Sequence, residues 1–219
     1  MGIEAAIVMI AFVIVAAALA FVVLNMGFST TQKAKTAVLS SQTEASSAIE
    51  IAGKVTGIGY VNGGGVLNAT IIPLKVASGG DAVSLDPNQT SIAYYSNTVR
   101  YDNIYANKCM LDRATYNNVT GAFNAAVTAG CIDKAPITGA TTVGAPTHTQ
   151  AIVYWSVSNS PINDILDEGE HAELAIAYDS ADRPGSLDNV KAEVIVPTGS
   201  ALTVERQVPP VTTNIVDLG

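Results

Sequence analysis

Three asparagines stand two residues ahead of a threonine with no proline between them: Asn68-Ala69-Thr70, Asn88-Gln89-Thr90 and Asn118-Val119-Thr120. This is the acceptor pattern for N-linked sugar, and glycans there would lay a hydrated coat over a surface poor in charge. Asp164, Asp167, Glu168, Glu170 and Glu173 form the densest acidic run. Carboxylates around a glycine turn offer the hard oxygen ligands that calcium takes. Their spacing does not match the helix-loop-helix calcium loop, so a solvated turn is the preferred reading and calcium the minority one. Cys109 and Cys131 have 21 residues between them. One disulfide across that loop would stabilise the chain by roughly 3 kcal/mol, and two buried thiols are the alternative. His148 and His171 are the only histidines, no Gly-x-Ser-x-Gly elbow occurs, and neither cysteine has a base beside it in sequence. No catalytic residue, enzyme activity or cofactor is expected, calcium at the acidic run aside. Tyr154 and Trp155 are adjacent and read as the two sides of an alternating strand, one toward the core and one outward.

The elements that must position these residues differ sharply along the chain. Of 219 residues, 48% are hydrophobic, only 14% are charged, and the net charge is −8. The eleven basic residues are scattered, with Lys33 and Lys35 the closest pair, which excludes a phosphate-binding surface and hence a nucleic-acid binder. Gly63-Gly64-Gly65 lacks the Lys-Ser or Lys-Thr that would make it a phosphate loop, and Asn62-Gly63 opens a hairpin turn instead.

Ala5 to Leu24 contains no charged, Gly, Pro, Ser or Thr residue. Twenty such residues span roughly 30 Å as a helix, the thickness of a hydrocarbon core. The apolar run starts four residues from the first residue, with no Lys or Arg ahead of it, unlike a secretory signal peptide. No Pro or Gly interrupts Phe28 to Ala52, and Ala34, Val38, Ser41 and Ala45 keep helical spacing, so the helix is predicted to run to about Ile51. Gly53, Gly57 and Gly59 are read as its break.

A helix that is apolar on every side needs lipid or copies of itself around it. Fourteen bulky apolar side chains lie between Ile3 and Leu24. Their burial is worth roughly 20–40 kcal/mol as an upper bound. Ile3, Glu4, Ile7, Ile10, Phe12, Ile14, Leu19, Phe21 and Leu24 are the candidate polymerisation residues, with Ala16, Ala17, Ala18 and Ala20 allowing close helix approach. Glu4 is the only charge before Lys33, and the helix macrodipole and an α-amino group favour it near the N-terminus.

Residues 2–18 (Gly-Ile-Glu-Ala-Ala-Ile-Val-Met-Ile-Ala-Phe-Val-Ile-Val-Ala-Ala-Ala), Val-Val-Leu-Asn-Met-Gly-Phe (22–28) and Thr-Gln-Lys (31–33) closely resemble archaellins, the archaeal flagellins. Ala-Leu-Thr-Val-Glu-Arg-Gln-Val-Pro (201–209) resembles the archaellin C-terminus. The resemblance implies a type IV pilin-like helix exposed by removal of a basic leader. It further implies an immunoglobulin-like outer domain, glycosylation, and metal binding in some members. Pilins carry their acidic residue at mature position five, whereas here Glu4 stands at four. The implied partners are many copies of the same chain, a basal body and motor, and the membrane before assembly. The implied location is an extracellular filament that rotates for swimming. A non-rotating adhesion pilus and a membrane-anchored surface protein are the alternatives.

The expected fold is α+β: an apolar helix over residues 1–53, then an all-β sandwich over 54–219. Predicted strands are Val66–Val76, Ile92–Tyr94, Val99–Ile104, Ala151–Val157, His171–Tyr178, Val190–Val196 and Leu202–Gln207. The stretch from Asp112 to Gly130 has Ala-rich helical spacing but also Asn117, Asn118 and Gly121, and is treated as a surface insertion.

Overall fold

The computed structural model describes residues 2–46, 49–137, 144–159 and 163–219. The chain divides into two compact units, Met1–Gln42 and Thr43–Gly219, so the boundary falls earlier than the expected 53/54. The first unit is made by one α-helix, α1 (Gly2–Ser46). At 1.5 Å per residue, its 45 residues extend about 68 Å. Ala, Leu, Met and the absence of proline favour the helical state, and Gly2 and Gly27 are the only glycines within it.

The helix stops before the predicted Ile51, because Ile49–Ile51 forms a strand, β1. It pairs antiparallel with β3 (Val66–Val76), Ile49 opposite Val76 and Ile51 opposite Leu74. Local helical spacing is overridden here by burial of Ile49 in the second unit's core. Gly57 and Gly59 likewise belong to a strand, β2 (Thr56–Tyr60), and not to a helix break. A Cβ on Gly59 would lie 2.4 Å from the Thr213 carbonyl oxygen, so only glycine lets the C-terminal segment close over β2. Val61–Gly63 makes a 3-10 turn from β2 into β3, with Gly64 and Gly65 at φ +99° and +71°, in keeping with the hairpin read from Asn62-Gly63.

The remaining elements are β4 (Val83–Ser84), β5 (Ser91–Ser96), β6 (Arg100–Tyr101), β7 (Tyr105–Thr115), α2 (Val119–Thr128), β8 (Gln150–Val157), β9 (Ile165–Leu166), β10 (His171–Ala177), β11 (Asn189–Ile195), β12 (Leu202–Gln207) and β13 (Ile215–Asp217). Seven strands make the larger sheet, in the order β13-β2-β3-β10-β8-β7 with β1 also on β3. A four-stranded sheet runs β12-β11-β5-β6, and β4 pairs with β9. Thr70, Ile72 and Ile176 of the larger sheet meet Tyr94, Val190, Ala192 and Val204 of the smaller around a cavity of about 10 Å³. The sandwich expectation thus holds for two facing sheets.

One feature departs from an all-antiparallel sandwich: β7 and β8 are parallel. A parallel pair cannot be closed by a tight hairpin and needs a crossover. The ambiguous Ala-rich stretch supplies part of it, for α2 buries Ala122, Phe123 and Ala126. Asn118 caps that helix, accepting from the Gly121 N–H at 2.6 Å.

Candidate polymerisation surface

Every large apolar side chain from Ile3 to Leu24 is 51–78% exposed in the single chain. Ile3, Ile7, Ile10, Phe12, Ile14, Leu19, Phe21 and Leu24 are all among them, so the predicted polymerisation residues stand together on one continuous element. They cover its whole circumference and not a stripe, because residues i+1 and i+2 are as apolar as residues i+3 and i+4. Glu4 is the acidic residue of the first turn, where the positive end of the helix dipole favours it. Gly2–Leu39 is long and apolar enough to cross a membrane.

Beyond Leu24 the helix admits polar side chains without breaking. The hydroxyls of Thr30, Thr31 and Thr36 donate to the carbonyls of Met26, Gly27 and Gln32, at 2.8, 2.8 and 2.9 Å. Each is thereby satisfied within its own helix, which lowers the cost of covering it with apolar neighbours.

In the second unit the sequence-predicted chemistry disperses. Glu170 turns inward and is buried, with its carboxylate accepting from Trp155 Nε1 (3.2 Å), the Asn159 N–H (2.7 Å), the Asp167 N–H (3.2 Å) and Ser158 Oγ (3.2 Å). Glu168 lies outward, accepting from the Gly79 N–H at 3.5 Å, and Asp164 and Asp167 flank the short β4–β9 pair. Among the described residues no three His, Cys, Asp or Glu side chains are grouped to hold a metal ion. Within the acidic run Glu170 is thus a buried structural acceptor, its carboxylate already holding four donors.

Tyr154 and Trp155 are both buried, which corrects the one-side-in, one-side-out reading of β8. Both faces of that strand are covered, and sequence alternation alone carries no sign of it. The Tyr154 hydroxyl is hydrogen-bonded to Glu173. Burial first, then Glu173, raises its pKa, and burial likewise pushes the Tyr178 hydroxyl up to about 12, where it shares a 2.8 Å hydrogen bond with Thr70. Both are neutral hydrogen-bonding posts of the core. His148 is exposed ahead of β8, and His171 opens β10 at its bulge against β8.

Asn68 is buried within β3, with no room for a glycan, so burial removes it from the acceptor positions expected from sequence. Asn88 and Asn118 are exposed. Cys131 is buried, and the side chain of Cys109, on β7, lies outside the described residues, as does any test of a disulfide.

An exposed helix of this composition joined to a β-rich unit has recognisable relatives. The archaeal-type flagellin family matches residues 1–206. "Probable flagellin 1" of Aeropyrum pernix is 36% identical over 208 residues, covering 95% of this chain and 90% of the relative. The chain belongs to the archaeal-type flagellin family. A second flagellin, "Probable flagellin 1" of Archaeoglobus fulgidus, is 26% identical over 213 residues, covering 95% of this chain and 89% of its own length. The fold is similar to that of the archaeal flagellum of Methanospirillum hungatei (TM-score 0.61, 21% identity, 99% of both chains). It is also similar to the crystal structure of archaeal flagellin FlaB1 from Methanocaldococcus jannaschii (TM-score 0.60, 12% identity, 78% of this chain and 96% of that one). As a flagellin, the chain is a structural subunit of an extracellular cell-surface filament.

Proposed function

We propose that this flagellin polymerises through α1, which packs among the α1 helices of neighbouring copies to form the filament core while the β-rich units form its wall. The observation that carries this reading is the exposure of all fourteen large apolar side chains between Ile3 and Leu24 on a helix with no tertiary cover. Before assembly, the same surface suits lipid. The role is mechanical, not catalytic: a close-packed core resists shear as densely packed interiors do, and so transmits the torque of a motor at its base. Asn88 and Asn118 are the acceptors left for glycan. At Asn118 the sugar would join Nδ2 and leave the Oδ1 that caps α2 in place.

The test is a deletion strain complemented with the native chain or with Phe12→Asp. The native chain is expected to restore sheared filaments and swimming, and Phe12→Asp neither. Filaments without swimming in the natively complemented strain would contradict the motor role. Filaments from Phe12→Asp would contradict the helical core.

A further inference from the structure

Beyond Leu24, α1 has two unlike faces. Gly27, Ala34 and Val38 follow one another at spacings of seven and four, giving a small apolar face. On the other side, Asn25, Ser29, Gln32 and Thr36 follow at spacings of four, three and four, with Lys33 and Lys35 flanking this uncharged polar row. No acidic residue occurs between Glu4 and Glu44, so neither lysine has an acidic residue within two turns of it on its own helix. The hydroxyls of Thr30, Thr31 and Thr36 bond within the helix, whereas Lys33 and Lys35 are exposed.

The second unit has the complementary surplus. The first unit holds two lysines and Glu4, so the remaining nine basic and eighteen acidic residues give the second a net charge of −9. Several of those nine cations are already occupied within it. Lys54 is paired with Asp217, Lys75 with Glu50 at 2.8 Å, and Arg100 with Asp102 at 3.4 Å. Lys191 lies over the Tyr95 ring at 5.5 Å, and Arg183 over the Tyr60 ring at 5.3 Å.

We infer that the polar side of α1, with Lys33 at one margin and Lys35 at the other, docks on the acidic β-rich unit of a second copy, while the small-residue face packs on neighbouring helices. The inference rests on the filament reading. It assigns the two lysines to the seam between core and wall, as a heterologous contact that repeats along an open helical polymer. Ion pairs in that seam are shielded from solvent more than exposed ones are, so salt screens them less.

Carbodiimide treatment of sheared filaments tests this, because it joins lysines to carboxylates only where they touch. Denatured products are separated by size and their junction peptides identified by mass spectrometry. Lys33 or Lys35 is expected to be joined to Asp or Glu between residues 43 and 219 in the dimer and larger bands. Filaments of Lys33→Gln/Lys35→Gln are expected to lose those junctions while keeping any formed by other lysines. The inference is overturned if Lys33 and Lys35 junctions occur only in the monomer band. It is equally overturned if they reach only Glu4 of another copy, or are missing while other lysines cross-link. Failure of the native chain to yield any filament would overturn the polymer reading instead.

Discussion

The two units solve the same problem in opposite ways. In the second, Trp155, Tyr94, Tyr154, Tyr178 and Phe123 are each at most 1% exposed, although they come from places spread along the chain: β5, α2, β8 and the residue just past β10. In the first, Ile3 and Phe12 stay 78% and 74% exposed, because one helix has nothing of its own chain within the unit to fold against. The β-rich unit is completed by folding, whereas α1 needs cover from outside its own chain, which the proposed function assigns to other copies. The burial at stake in α1, roughly 20–40 kcal/mol as an upper bound for fourteen large side chains, is a sizeable fraction of the roughly 100 kcal/mol gross burial term of an ordinary domain.

The sharpest way to break the contrast is to place a charge in α1. Ile14→Asp puts a carboxylate in an apolar bundle once per copy, at a cost of about 2.5–3.5 kcal/mol or more each time. Filaments should disappear from electron micrographs, while the melting transition of the β-rich unit stays where it was. A parallel loss of that transition would show that the two units are not independent.

The opposite disruption targets Glu170, whose removal strands the buried Trp155 indole N–H and takes the acceptor from the backbone N–H groups of half-buried Asp167 and exposed Asn159. Glu170→Ala should cost about 3 kcal/mol in urea unfolding of the second unit, a buried unsatisfied donor plus the cavity left by the side chain, and should leave the helicity of α1 in detergent unchanged. Gly59→Ala is a smaller probe. Its Cβ would meet the Thr213 carbonyl oxygen at 2.4 Å, so the segment leading into β13 must shift, and a loss of about 1–3 kcal/mol is expected.

Smallest is the exposed Lys54–Asp217 pair at the β13 edge. Lys54 holds the Asp217 carboxyl below its ordinary 3.8, so the pair's contribution is present above that value and fades as pH falls through the depressed one. Asp217 in turn raises Lys54 above 10.5, so the contribution fades again as pH rises through the raised value. Asp217→Asn should lower the melting temperature slightly at neutral pH and leave it unaltered at pH 2. An equal effect at both would assign the loss to packing.

How much of this was legible beforehand follows the same division. The composition of Ile3 to Leu24 dictates the apolar helix, because a uniformly apolar surface needs no tertiary partner to be recognised. Val66–Val76 and Leu202–Gln207 were legible as strands to the residue, being β-branched runs bounded by turns. Ile49–Ile51 and Thr56–Tyr60 were not, since their strand state comes from pairing with β3, and Ile49 finds its partner only at Val76. The parallel β7–β8 pair was hidden for the same reason. Asn68 and Glu170 matched surface chemistry by type and spacing, and only the tertiary fold shows both to be buried.

The central claim, that α1 is covered by other copies, is tested most directly by thiol labelling of intact filaments. Cysteine is introduced at Ala17 in one variant and at Thr213, exposed on the β-rich unit, in another, with the unmodified chain as background. The account predicts that Thr213→Cys reacts fully with a water-soluble maleimide while Ala17→Cys stays unlabelled until the filament is dissolved in detergent. Equal labelling of both positions in intact filaments would contradict it.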